Sequence, residues 1–329
     1  MSSPTTMPPR DQASRLRALV SSLSGPGVSI VTWADRNSPA SAANRPAPAT
    51  PVRREVAIPV VAITSGKGGV GKTSVSVNLA IALARRGVRI SLVDADLGLA
   101  NADLLCGLNP TTRLDAAVDL SRTPGARRSL EQIAVKAPGG FRLVPGSVGL
   151  SRFANLQPAQ REQVLDGLAD LERESDLILI DTGAGLNDGV TSFVREADLV
   201  LVVATPEPTS IADSYALMKC LVTEGHPPVF ALVANMVESE SEALNVHQRL
   251  AATCKRFLGL TLPLVGIVRH DEALIDSVRE RRPVMLGTPR ARCSRDIEDL
   301  AARLMRTLNV GPVDRRNGRR TLFGWLSGR

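Results

Sequence analysis

A doubly wound α/β fold, a mostly parallel sheet flanked by helices, is what residues 57–308 predict, and two patterns carry that reading. Apolar, β-branched runs alternate with stretches of helical periodicity across the whole region. Several of the runs are also apolar without a break, such as Leu177-Ile178-Leu179-Ile180 and Leu199-Val200-Leu201-Val202-Val203. Strands covered by helices on both faces have this composition. The pattern predicts strands at 57–64, 89–93, 141–144, 176–181, 198–204, 229–234 and 263–267. It predicts amphipathic helices at 73–86, 159–173, 208–223, 240–257 and 292–308. There is no internal repeat. In such a sheet ligands gather at the carboxyl ends of the strands, and the polar motifs of this chain fall there.

The first strand runs into Ser65-Gly66-Lys67-Gly68-Gly69-Val70-Gly71-Lys72-Thr73, after which Val75, Leu79 and Leu83 recur at helical spacing. Gly66, Gly71, Lys72 and Thr73 meet the phosphate-loop spacing in the strand–loop–helix context that motif requires. Glycines let backbone N–H groups wrap phosphates with no Cβ in the way. Gly66, Lys67, Gly68, Gly69, Val70, Gly71, Lys72, Thr73 and Ser74 are therefore the candidate triphosphate cradle. Lys72 is placed to neutralise the outer phosphates, and the Thr73 hydroxyl to ligate Mg²⁺.

Two other strands end in acids. Strand 89–93 leads into Asp94-Ala95-Asp96, and acids directly after a buried strand are poised to hold Mg²⁺ water ligands or to orient an attacking water. One such Asp is often only a helix cap; a pair is less often so. Strand 176–181 leads into Asp181-Thr182-Gly183-Ala184-Gly185. An apolar strand ending in Asp beside a phosphate loop is the Walker B arrangement, with Asp181 on Mg²⁺, usually through water.

Lys67 is not needed to cradle phosphates within one chain. A second lysine just after the first glycine marks the deviant Walker A loop, and here the sequence resembles the MinD/ParA family of P-loop ATPases. The resemblance implies ATP and Mg²⁺ as ligands, a homodimer formed with ATP, and Lys67 reaching across the dimer interface to the partner's ATP. The run Asp94 to Asp103 matches the family's Asp-x-Asp-x-Gly-Leu-x-Asn-x-Asp segment. By that match Asp96 would position the attacking water, Asp94 would assist at the metal and Asn101 would lie near the dimer interface. Asn235, after strand 229–234, matches the family's adenine-reading Asn. Asp271 aligns with a second base-contacting loop, but the Ile-Pro common there is missing, and a helix-capping role suits it equally. Catalysis would fall to Lys67, Lys72 and Asp96. Slow turnover is expected, because the spacing shows no glutamate, glutamine or arginine finger.

Three stretches narrow the resemblance to the FlhG (FleN/YlxH) branch, which governs flagellar number and placement: Asp94 to Leu108, Asp181 to Val190 and Thr205 to Lys219. A fourth lies far upstream. Asp11, Gln12, Ala13, Leu16 and Arg17 reproduce that branch's Asp-Gln-Ala-x-x-Leu-Arg motif, on a short helix that Asp11 can cap and Gly25-Pro26-Gly27 stops. In the branch this helix docks on FlhF, a signal-recognition-type (SRP-type) GTPase, and stimulates it. Flagellar rotor proteins and a transcriptional regulator are partners at the level of the branch, with no residues assigned here.

The remaining chain sets the organisation. Residues 1–27 read as a leader plus the docking helix, 28–56 as a linker rich in Pro, Ala, Ser and Arg, 57–308 as the ATPase domain and 309–329 as a basic tail. Val28 to Trp33 reads equally as a short strand or a second docking segment. Of the formal net charge of +7, the tail from Gly311 holds +4. There Leu322, Phe323, Trp325 and Leu326 share one broad face at helical spacing, with arginines just upstream, as in an interfacial membrane helix. Each arginine near anionic lipid contributes about 1 kcal/mol and each large apolar side chain about 1.5–3. One copy binds weakly and two copies on a dimer bind better by avidity; a tail folded onto its own domain is the alternative. Phe323 and Trp325 suit lipid better than duplex DNA, which disfavours nucleic acid as a partner. The four cysteines are scattered and predict reduced thiols, and neither an apolar span nor a signal-peptide core is evident. The expectation is a cytoplasmic protein reversibly peripheral to the membrane, at a cell pole where the flagellar reading holds. A MinD-like division-site regulator and a ParA-type DNA- or cargo-partitioning ATPase are the alternatives. An iron–sulfur carrier would need paired cysteines, and a tyrosine kinase of this fold a tyrosine-rich tail, whereas Tyr215 is the only tyrosine.

Overall fold

A computed structural model describes residues 58–96, 100–117, 128–147, 163–185, 188–223 and 228–311. Its centre is an eight-stranded sheet made of β1 (Val60–Ser65), β2 (Ile90–Ala95), β3 (Val135–Lys136), β4 (Arg142–Val144), β5 (Leu177–Ala184), β6 (Leu199–Ala204), β7 (Val229–Val237) and β8 (Leu264–Arg269). The spatial order is β3-β4-β2-β5-β1-β6-β7-β8. All neighbours run parallel except the two-residue edge strand β3, which is antiparallel to β4. The uninterrupted apolar runs take the inner places: β1, β2 and β6 are buried at every residue. β1 sits between β5 and β6, so the loop that leaves its carboxyl end emerges at the middle of that edge of the sheet.

Among the described residues, six helices of eight or more residues flank the sheet: α1 (Lys72–Arg85), α2 (Asp188–Arg195), α3 (Pro208–Thr223), α4 (Glu240–Leu258), α5 (Glu272–Arg279) and α6 (Arg292–Leu308). α3 and α4 close one face over Val60, Ala62, Val200, Val202 and Leu232, contributing Leu217, Met218, Val246 and Leu250. α6 packs on β8 and on α1. No described helix is long and apolar enough to cross a membrane.

The strongly periodic helices fall where the sequence predicts them, α3 and α6 to the residue. The differences have local causes. Of the helix expected at 159–173, residues 163–166 are α-helical and tighten into a 3₁₀ helix over Gly167–Leu171. β3 escapes a pattern reading because two residues show no alternation, and α2 and α5 because eight residues give barely two turns of periodicity. The Asp11–Arg17 motif, residues 97–99 between Asp96 and Ala100, and the tail with Leu322, Phe323, Trp325 and Leu326 lie outside the described residues.

Candidate functional site

β1 ends at Ser65, whose hydroxyl donates to the Lys67 carbonyl at 2.6 Å and starts the loop turning. Gly66 lies directly on the backbone of α3, so that a Cβ there would stand 2.1 Å from the carbonyl carbon of Asp213. Gly69 and Gly71 have left-handed φ of 80° and 82°, which glycine adopts without strain. Gly71 is the N-cap of α1 and offers no side-chain cap; the first helical bond runs from the Val75 N–H to the Gly71 carbonyl. The N–H groups of Lys72, Thr73 and Ser74 thus begin a helix with no side-chain cap, and its positive dipole end suits an anion.

Lys72, Thr73, Ser76 and Asp181 converge below that loop. Lys72 is buried; burial lowers its pKa, and the charges of Asp181 and Asp96 oppose the shift. Asp181, at the end of β5, is fully buried, and burial pushes its pKa up. The hydroxyls of Thr73 and Ser76 and the charge of Lys72 pull it back. Ser76 Oγ stands 2.9 Å from Asp181 Oδ1, whereas Asp181 Oδ2 has no hydrogen-bond partner. A buried carboxylate oxygen left unmatched beside a hydroxyl is the donor set that a hard cation such as Mg²⁺ accepts. Among the described residues no three His, Cys, Asp or Glu side chains converge on one point. A metal here would complete its shell with phosphate and water oxygens.

The two acids after β2 part company. Asp96 is half-buried and faces the carboxyl end of β5, its Oδ1 lying 3.4 Å from where a Cβ on Gly183 would stand. Asp94, expected to assist at the metal, has its carboxylate met by backbone donors. It is fully buried, and its Oδ2 accepts from the N–H groups of Asn101 and Ala102, both at 3.0 Å. Its Oδ1 accepts from the Asp96 N–H at 3.2 Å. Asp94 therefore pins both ends of the segment that carries Asp96. Burial, then the neighbouring Asp181 charge, raises its pKa.

Lys67 points away from this cluster. Its Nζ pairs with Glu207 and lies 3.2 Å from Thr209 Oγ1, at the start of α3. Both ionic partners are substantially exposed, the lysine side chain at 37% and the glutamate at 61%. Such a pair holds the lysine weakly.

The family model described as the CobQ/CobB/MinD/ParA nucleotide binding domain matches residues 61–284. Antiactivator FleN of Pseudomonas aeruginosa is 41% identical over 237 residues, covering 72% of this chain and 82% of that protein. The flagellum site-determining protein YlxH of Helicobacter pylori is 32% identical over 258 residues, covering 77% and 84%. The chain belongs to the MinD/ParA family of ATPases, in its FlhG branch. Among solved structures, the Pyrococcus horikoshii septum site-determining protein MinD complexed with Mg-ADP shares the fold at 23% identity. Its TM-score is 0.61, with 75% of this chain and 96% of that one covered.

Two residues are expected to read the base, Asn235 and Asp271. Asn235 is fully buried at the end of β7; its Nδ2 donates to the Val70 carbonyl at 2.7 Å, and its Oδ1 has no partner. Asp271 is the N-cap of α5. Its Oδ1 accepts from the Ala273 N–H at 3.0 Å and its Oδ2 from the Cys293 N–H at 3.1 Å. Of the two readings open for Asp271, the cap is the one its side chain performs.

Three site neighbours escape a motif reading: Ser76 against Asp181, and Glu207 with Thr209 against Lys67. Ser76 was legible in principle, since it stands one helical turn after Lys72 and so under the loop. The Lys67–Glu207 contact spans 140 residues, and nothing in the spacing announces it.

Proposed function

We propose that this FlhG-branch ATPase is a switch that sets flagellar number or placement, dimerising on ATP and returning to monomer after hydrolysis. The observation that carries the proposal is the division of labour between two lysines of one loop. Lys72 is sunk among Asp181, Asp96 and Thr73, while Lys67 stands at the lip on an exposed contact it can exchange for another molecule's phosphate. Gly66 to Ser74 would cradle the triphosphate, with Asn235 toward adenine. Thr73 and Asp181 would hold Mg²⁺, which when bound offsets the charge of the outer phosphates; Asp94 would keep Asp96 in place, and Asp96 would orient the attacking water. Lys67 and Lys72 would counter the charge that develops on the transferred group. The Mg-ADP of the P. horikoshii neighbour and the flagellar name of the H. pylori relative support this reading.

In the same proposal residues 1–27 reach FlhF across the 28–56 linker, and residues 309–329 attach the dimer to anionic lipid. The test adds a peptide covering residues 1–25 to the cognate SRP-type GTPase. Stimulation that is lost on altering Asp11, Gln12 and Leu16 supports the flagellar role; equal stimulation by both peptides refutes it. Deleting 309–329 should abolish sedimentation with anionic liposomes.

A second reading has one observation of its own. Six arginines stand between 279 and 295 (279, 281, 282, 290, 292 and 295) against the single acid of that run that is exposed, Glu280, and all six are exposed. The tail is thus not the only basic stretch, and a surface of this kind on the domain itself fits the phosphates of a ParA-type DNA partitioner. A protein lacking 309–329 that still binds random duplex DNA, but not liposomes, would favour it.

A further inference from the structure

The carboxyl end of β7 carries a feature that the proposed switch does not use. β7 pairs with β8 through Asn235↔Val268 and next through Val237↔Arg269, so Met236 is an extra residue bulged out of the ladder. Its φ is 56°, left-handed, a conformation that L side chains with a Cβ seldom take. In a regular strand Asn235 and Met236 would face opposite sides of the sheet. Here both converge on the N-cap of α1. Measured from the point where a Cβ on Gly71 would stand, Asn235 Nδ2 is 2.5 Å away and Met236 Cε 3.2 Å.

The result is a two-part surface beside the phosphate loop. Asn235 brings a buried amide oxygen with no partner, and Met236 brings a flexible thioether that is 38% exposed. An unmatched acceptor next to an exposed polarizable side chain is the chemistry that recognises a flat aromatic ring bearing an amino group.

We propose that Met236 covers one face of the adenine ring, and that the bulge is kept because it turns this side chain to the same edge as Asn235. Met236 is then a specificity-determining residue acting on the base alone, with no part in holding phosphate. The inference rests on reading the site as an adenine-nucleotide site.

The test separates base from phosphate. Full-length parent, Met236→Gly and Met236→Leu are titrated with Mg-ADP and with inorganic tripolyphosphate, and their melting is recorded without ligand. Glycine takes the left-handed φ freely, so Met236→Gly should melt no lower than the parent while binding ADP about five- to tenfold more weakly. Tripolyphosphate affinity should stay within about twofold, and Met236→Leu should keep ADP affinity within about twofold, because it restores apolar cover. Unchanged ADP affinity in Met236→Gly overturns the inference and leaves the nucleotide site standing. Parallel loss of ADP and tripolyphosphate overturns it too, by showing that Met236 acts through Gly71. A parent that binds neither ligand overturns the nucleotide site and the inference together.

Discussion

Alanine at Gly66 and alanine at Gly68 are the same change two residues apart, and the structure predicts opposite outcomes. A Cβ on Gly66 would lie 2.1 Å from Asp213 C, 2.2 Å from Asp213 O and 2.5 Å from Ser214 N, all backbone atoms of α3. Carbon contacts are comfortable at about 3.5–4.0 Å, so the loop and the helix must part by roughly 1 Å or more. No side-chain rotation can relieve a clash with backbone, which places the cost at the upper end of overpacking, about 3 kcal/mol. For a domain of this size that lowers Tm by roughly 6–12 °C. A Cβ on Gly68 meets nothing within 4 Å and its φ is not left-handed, so Gly68→Ala should stay within about 0.5 kcal/mol of the parent. Thermal melts without nucleotide read both numbers directly. Repeating them with Mg-ADP should show a smaller ligand-induced rise for Gly66→Ala, since the strained loop no longer fits phosphate. A Gly66→Ala protein that melts within about 2 °C of Gly68→Ala would refute the packing argument.

The buried acids make a pH prediction. Burial raises Asp94 and Asp181 above the ordinary carboxylate range, so the folded protein holds these protons more tightly than the unfolded chain. Stability without nucleotide should fall as pH rises from that range to the raised values and level off above them. Asp181→Asn should flatten part of this decline in Tm against pH, whereas an unchanged slope would count against the assignment. Mg-ADP affinity should move the other way and weaken as pH falls, because the cation needs ionised Asp181. Ser76→Ala removes a hydroxyl 2.9 Å from Asp181 Oδ1 and should weaken Mg²⁺-dependent nucleotide binding by up to about tenfold, read by titration of Mg²⁺ at fixed ADP. Glu207→Gln should shift stability by less than about 1 kcal/mol in urea melts, since the pair with Lys67 is exposed.

Much of this site was legible because its motifs sit on buried strands. Leu177 to Ile180 could only be an inner strand, and an Asp directly after it had to reach the carboxyl edge, which is where Asp181 stands. Lys72 and Thr73 followed from loop spacing in the same way. What spacing could not supply was the use of an acid once it arrived there. Asp94 and Asp96 stand two residues apart after one strand, yet Asp94 meets three backbone N–H groups and Asp96 lies beside Gly183 near the end of β5. Asp271 was open between base and helix cap until α5, too short to show its period, proved to begin beside it. The bulge at Met236 depends on the register between β7 and β8, which a strand pattern does not encode.

Lys67 decides whether the proposed switch exists. In the single chain Glu207 and Thr209 hold it at the rim of the loop, and in the proposed dimer it turns to a neighbour's phosphate. The sharpest test is the solution mass of parent and Lys67→Ala, each measured with ATP and with ADP. A dimer is expected only for the parent with ATP, and Lys67→Ala should still bind ATP but stay monomeric and hydrolyse it far more slowly. A Lys67→Ala protein that pairs and turns over ATP as the parent does would overthrow the dimer switch.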